Sequence, residues 1–145
     1  MNVKGIDRVF IEKKDREDIY EKLLKNRGSP LYGKNNRVPY ILALVVGFTK
    51  GERLKIVKKD GFILIENLQD EDLSLIKAIA VKEDGNLDVL LDREKVFRIA
   101  DEYANCGIKL LNNSILGKEY GSYFKKLEAE LIDKFNEVKG SLDEA

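Results

Sequence analysis

The stretch Tyr40 to Phe48 (YILALVVGF) is the longest apolar run in the chain, and it sits in a sequence of which 36% is charged. It falls far short of the ~20 apolar residues that a membrane-spanning helix requires. A helix that is greasy on every side has two fates in a soluble protein: the middle of a core, or an interface between subunits. Asn36 stands where an N-cap belongs, Pro39 falls in a first turn that needs no intrahelical donor, and Gly51 follows the apolar residues. The sequence therefore predicts a helix over 36–50, with both fates open to it.

Upstream, Arg8 to Lys13 (RVFIEK) has the weak alternation and β-branched content of a short strand. Asp15 is placed to cap a helix over 15–26, with Glu17 and Asp18 in its first turn. Ile19, Tyr20, Leu23 and Leu24 form one apolar stripe at helical spacing, and Arg27-Gly28-Ser29-Pro30 ends it. Downstream, the β-like runs Arg53 to Val57 and Phe62 to Glu66 flank Lys58-Lys59-Asp60-Gly61, and the Asp-Gly signal predicts a hairpin. Asp70 to Val81 reads as a helix, broken by Asp84-Gly85-Asn86. After the apolar connector Leu87 to Leu91, Asp92 is expected to cap a helix running to about Leu111. Its inward residues are Val96, Ile99, Ala100, Tyr103, Leu110 and Leu111. A last helix is predicted from about Lys118 to Val138, with Tyr120, Phe124, Leu127, Leu131, Phe135 and Val138 recurring at intervals of four and three. Ser141 to Ala145 read as a frayed tail. The fold class is mainly α with a minor β component (α+β): an N-terminal strand-helix-helix followed by a hairpin and three helices. No linker or internal repeat divides residues 1–145, which are read as a single domain.

The residue inventory removes most catalytic chemistry. His is absent and Cys106 is the only cysteine. Without imidazole there is no Ser-His-Asp triad, no Cys-His dyad and no His metal ligand; one thiol builds neither a zinc nor an iron–sulfur site. Cys106 lies in an apolar helical stretch and reads as a small buried hydrophobe. The chain carries neither GxGxxG nor GxxxxGK[ST]. Gln69-Asp70-Glu71-Asp72 lacks the Gly and closing Glu of a calcium loop and lies at a helix start, where carboxylates are favoured anyway. The expectation is a protein that is not an enzyme, with no cofactor and no metal. The opening MNVKGIDRVF is too short and too charged for a signal peptide, so a cytoplasmic protein with no membrane contact is expected.

The net charge is zero, yet it is unevenly spread. Residues 1–60 hold 15 Lys/Arg against 8 Asp/Glu, a balance of +7, and residues 61–145 hold 11 against 18, a balance of −7. A basic N-terminal half beside an acidic helical half can create a basic face, or can pair one half or one subunit with another. The candidate nucleic-acid-binding residues are Lys13, Lys14, Arg16, Lys22, Lys25 and Arg27 on or around the first helix, with Lys34 and Arg37 flanking the second. Such residues would set orientation on DNA through phosphates and read little sequence. A solvated face with partners at Glu12, Glu17 and Glu21 is an equal reading. The strand, helix and second helix also follow the order of a ribbon-helix-helix module, whose strands pair across a dimer and enter the major groove. In that arrangement Arg8, Phe10 and Glu12, or Val9, Ile11 and Lys13, would face the bases.

Four stretches together resemble a known family: DRVFIEKKDREDIYEKLL, RVPYILALVVGFTKGER, DEDLSLIKAIAVKEDGNLDVLLD and EYANCGIKLL, covering most of residues 7–111. They look like the dnd system-associated proteins of DNA phosphorothioation gene clusters, in particular the fourth group, and EYANxGI is the most specific piece. The resemblance implies an accessory protein of a prokaryotic phosphorothioation modification or restriction system, an anti-phage defence setting. Duplex or nicked DNA and other proteins of the same system are the implied partners, and a homo-oligomer is expected. It supplies no catalytic residue. Two alternatives stand beside DNA binding: an interaction subunit that never touches DNA, and a ribbon-helix-helix-like transcriptional regulator.

Overall fold

A computed structural model of the chain describes residues 6–116 and 129–140. Tyr120, Phe124 and Leu127 of the expected last helix, and the tail from Ser141, lie outside the described residues. The protein is mainly helical with one two-stranded antiparallel sheet. β1 spans Arg8–Glu12 and runs directly into a helical stretch, α1, over 13–25. α2 is Arg37–Lys50, β2 is Lys59–Leu64, α3 is Asp70–Asp84 and α4 is Arg93–Leu116. Residues 129–140 form α5. Single 3-10 turns occupy Ile65–Asn67 and Leu87–Leu91.

The apolar run takes the core fate. Tyr40, Ala43 and Leu44 on α2 are wholly buried, and they pack against Ala100, Ala104, Ile108 and Leu111 of α4, also wholly buried. α2 is therefore the hub of the chain's own core, which its composition left open against a subunit interface. The two helices approach unusually closely because each carries a glycine at the crossing. A Cβ on Gly47 would lie 1.9 Å from the Tyr103 carbonyl oxygen, and one on Gly107 would lie 1.7 Å from that of Ala43. Gly51 ends α2 in the left-handed region at φ 79°, a conformation glycine adopts without Cβ strain.

One polar seam crosses this core. The Tyr40 hydroxyl donates to Asp101 Oδ1 at 2.7 Å, and both residues are buried. Burial pushes the Asp101 carboxyl up to about 8, against the opposing pull of the Tyr40 hydroxyl, the Phe10 N–H and the Lys59 charge. The Tyr20 hydroxyl is buried with no hydrogen-bond partner among the described residues.

The expected hairpin does not form. β2 pairs with β1, from Arg8 opposite Leu64 to Glu12 opposite Lys59, with a bulge where Val9 faces Ile63 and Phe10 faces Gly61. Asp60 and Gly61 thus lie within a strand rather than in a turn. Residues 53–57 stay irregular because their backbone groups find partners elsewhere. Leu54 N–H donates to the Glu102 carbonyl, Asn105 Nδ2 donates to the carbonyls of Leu54 and Lys55, and Glu12 accepts from the N–H groups of Val57 and Lys58 at 2.9 and 2.7 Å. The same pairing corrects the ribbon-helix-helix reading. β1 is taken up by a strand of its own chain, Val9 and Ile11 face the core, and Glu12 is engaged with the backbone. Neither expected set is a free row: Val9, Ile11 and Glu12 are buried and Phe10 is half-buried, which leaves Arg8 and Lys13 exposed.

Two cap assignments are also corrected. Asn36 occupies the N-cap position of α2, but its side chain makes no capping bond. Asp15 is not a cap, because helical structure already starts at Lys13. Its carboxylate is buried and accepts from Lys109 Nζ at 2.8 Å, joining α1 to α4. A π turn over Arg16–Tyr20 widens α1 after Asp15; its Ile19 and Tyr20, and Leu23 after it, are buried. Asp92 behaves as expected and accepts from Lys95 N–H at 3.1 Å. Leu110 is only partly buried, while Ile108, missing from the predicted inner face, is wholly buried. Cys106 is likewise partly exposed, and burial raises its thiol above the ordinary value. On α5, Val138 is buried and Leu131 and Phe135 pack against the core.

Candidate nucleic-acid interface

The eight basic candidates do not form one face. Arg16, half-buried, is drawn onto the sheet: its Nη1 donates to Asp60 Oδ2 and to the Gly61 carbonyl, both at 3.0 Å, and its guanidinium lies 5.5 Å from the centre of the Phe62 ring. Arg37 makes a two-pronged pair with Asp72, Nε to Oδ2 at 2.6 Å and Nη2 to Oδ1 at 2.9 Å. Asp72 also accepts from the Gln69 N–H at the start of α3, so one buried carboxylate ties the first turns of α2 and α3 together. This explains the acidic run at 70–72: part of it is helix-start chemistry, and part is a counter-ion for Arg37.

Arg16 and Arg37 line one open groove of about 640 Å³ together with Arg8, Asn35, Asn36 and Asn67. Its floor includes Gly61 and Phe62 of β2. Three cations and three amides line it, and no carboxylate does. Arg8 is not one of the eight basic candidates; the strand reading places it among the base-facing positions. In the structure its side chain lies over Gly61, where a Cβ would meet Arg8 Cδ at 2.5 Å. The carboxylates that hold the guanidiniums, Asp7, Asp60 and Asp72, stand outside the lining. A guanidinium carries five N–H donors, so each arginine keeps donors beyond those its partner uses. Fixing the planar fork in advance lowers the cost of recognising an oxyanion.

Arg16 also lines an adjoining depression of about 450 Å³ with Lys13, Lys14 and Lys58, where Glu17, Asp18 and Asp60 dilute the positive charge. Lys13 and Lys14 are exposed. The remaining candidates, Lys22, Lys25, Arg27 and Lys34, are exposed but line neither hollow. Lys25 is engaged with Glu21 at 3.1 Å along the helix. Tyr40 is core, and Tyr32 is 47% exposed. Among the described residues, no helix is long and apolar enough to cross a membrane, and no three His, Cys, Asp or Glu side chains gather as a metal site.

The fold and groove define a small helical protein with a short ribbon and a cationic cleft at the ribbon's edge. The family model for DNA sulphur modification system-associated protein 4 matches residues 10–143, and the chain belongs to that family. No curated protein and no solved structure matches it.

Proposed function

We propose that the chain is a non-enzymatic accessory protein of a DNA sulphur-modification system and that it holds the DNA backbone in the groove between β2 and the start of α2. One observation carries this reading: Arg8, Arg16 and Arg37 line a single groove with Asn35, Asn36 and Asn67 and no carboxylate. Phosphodiesters are the ligands that such prearranged forks suit, and the amides can bridge to sugars or base edges. Lys13, Lys14 and Lys58 extend the positive surface along the adjoining depression. The contact is backbone-directed, because the ribbon has no free row of polar side chains to place in a major groove. The setting is that of modification or restriction, in the cytoplasm, beside the other proteins of the system.

The test is fluorescence anisotropy with duplex, nicked and phosphorothioated DNA at two salt concentrations. Replacing Arg8, Lys13 and Lys14 with Ala is expected to reduce the salt slope by about 2–3 and weaken all three DNAs together. Replacing Lys22 and Lys25, which line neither hollow, is expected to leave binding unchanged. A preference for phosphorothioated DNA would show that the modification is read. Equal binding by the Arg8, Lys13, Lys14 variant, or no binding at low salt, would remove the proposal.

A further inference from the structure

The turn Leu87–Leu91 exposes three leucines that the core does not use. Leu87 is 40% exposed, Leu90 37% and Leu91 88%, whereas Val89 is 4% exposed and anchors the turn. Single exposed leucines are ordinary, but three in five residues on one turn form a patch. A 3-10 turn repeats every three residues, so Leu87 and Leu90 fall on one edge, and Leu91 falls with Asp88 on the next edge, a third of a turn round.

The patch is also rigidly presented. Gly85 ends α3 in the left-handed region at φ 79°. Asn86 Oδ1 accepts from Asp88 N–H at 2.8 Å, and Asp92 N–H donates to the Val89 carbonyl at 2.9 Å. Asp92 then caps α4. A partner meeting these leucines would therefore not have to pay the ordering cost of a flexible loop.

Its surroundings are acidic. Residues 84–95 hold four carboxylates, Asp84, Asp88, Asp92 and Glu94, against Arg93 and Lys95. Both cations are already engaged. Lys95 pairs with Asp84 at 2.7 Å; Arg93 donates to the Ile6 carbonyl at 2.9 Å and lies over the Phe97 ring. Asp88 has no ion pair among the described residues, and Glu94 lines a separate hollow with Lys55, Lys59 and Arg98.

We infer that the Leu87–Leu91 turn is a docking knob for another protein of the same sulphur-modification system, one that offers an apolar pocket rimmed by lysine or arginine. Charge complementarity selects a basic rim and disfavours acidic surfaces. A second copy of this chain is a poor occupant. Its own cationic groove is lined chiefly by arginines and asparagines, which offer the leucines little apolar surface. The docking site lies on a separate segment from the groove residues and stands independently of DNA binding.

The experiment is co-expression of the tagged full chain with each protein of the modification system, followed by capture and titration of the retained pair. The wild type is expected to retain one of them stoichiometrically, with an affinity that falls as salt rises. Replacing Leu87, Leu90 and Leu91 with Ala is expected to weaken that pair by about ten-fold or more. Leu91→Asp, at the most exposed of the three, should do so with no change in thermal midpoint, which separates docking from folding. The Arg8, Lys13, Lys14 variant should retain the partner in full. Undiminished capture by both leucine variants overturns the proposal, as does failure of every system protein to be retained. Self-association of the wild type that is abolished by Leu91→Asp would make a second copy the occupant and overturn it equally.

Discussion

Gly47 and Gly107 lie against each other's helices where α2 crosses α4, each so close to the opposing backbone that a methyl group would fall within 2 Å of a carbonyl oxygen. Glycine inside a helix costs about 1 kcal/mol relative to alanine, so both helices carry an intrinsic penalty that the close packing offsets.

Gly47→Ala and Gly107→Ala are each expected to destabilise the protein by about 3 kcal/mol or more despite the better helix propensity of alanine, because the obstructing atoms are backbone and cannot rotate away. Urea unfolding followed by circular dichroism measures this. A stabilised alanine variant would mean that the helices do not approach as described.

Asp101 makes stability depend on pH. Its carboxyl is raised to about 8 in the folded protein by burial, from an ordinary value of 3.8. Between those values the folded chain keeps a proton that the unfolded chain has released, so the stability contributed by this group falls as pH rises from about 4 towards 8. Asp101→Asn removes the titration and keeps an acceptor for the Tyr40 hydroxyl. Relative to wild type, the variant should gain on the order of 2–3 kcal/mol between pH 5 and pH 7. Denaturant titrations of both proteins at the two pH values decide it; parallel changes would show that Asp101 is ionised throughout.

Asp60 restrains Arg16 through the 3.0 Å contact with Nη1. Asp60→Asn removes one negative charge beside the groove while its amide oxygen can still accept from Arg16 and keep the fork in place. DNA affinity at low salt is expected to rise about two-fold or more, with a steeper salt dependence, the opposite of the Arg8 effect. Weaker binding would mean that Asp60 positions Arg16 rather than competing for it.

Asn105 fastens the irregular segment before β2 to α4 by donating to the Leu54 carbonyl at 3.0 Å. Its Oδ1 also accepts from Lys109 Nζ at 2.8 Å, which in turn holds Asp15. Asn105→Ala removes the side-chain donor to the Leu54 carbonyl and one of three acceptors of Lys109 Nζ, and should cost about 1 kcal/mol. Hydrogen exchange should show the Leu54 amide losing protection before the amides of the α2–α4 core. Uniform loss across the molecule would place Asn105 in the global unfolding unit instead.

The helices were legible in the sequence wherever burial and helical period coincide. YILALVVGF, the Asp92 cap and the glycines after α2 and α3 all fall where the pattern puts them. The sheet was not, because Asp60-Gly61 is a local turn signal that a partner strand some fifty residues earlier overrides, with Gly61 needed to accommodate Arg8. The most diagnostic stretch of the family resemblance, EYANCGI, proves to be architecture. Glu102 binds Arg53, Tyr103 donates to Glu83, Asn105 clamps 53–57 and Gly107 admits α2. The candidate site was half legible. Arg16 and Arg37 share a groove, but helical proximity in sequence also drew in Lys22, Lys25 and Arg27, which line neither hollow. Arg8 could have been found from its register alone had the pairing of β1 been known.

The pairing of β1 with β2 also sets a timetable for synthesis. The strand at Arg8–Glu12 leaves the ribosome long before Lys59–Leu64, and α2 precedes the α4 residues that complete the core around it. No early fragment can settle by itself, since its apolar hub and its strand both wait for later sequence. The groove draws on residues 8, 16, 35–37, 61–64 and 67, so it comes into being only when the chain has closed on itself. A nascent or truncated copy presents scattered charges and no cleft.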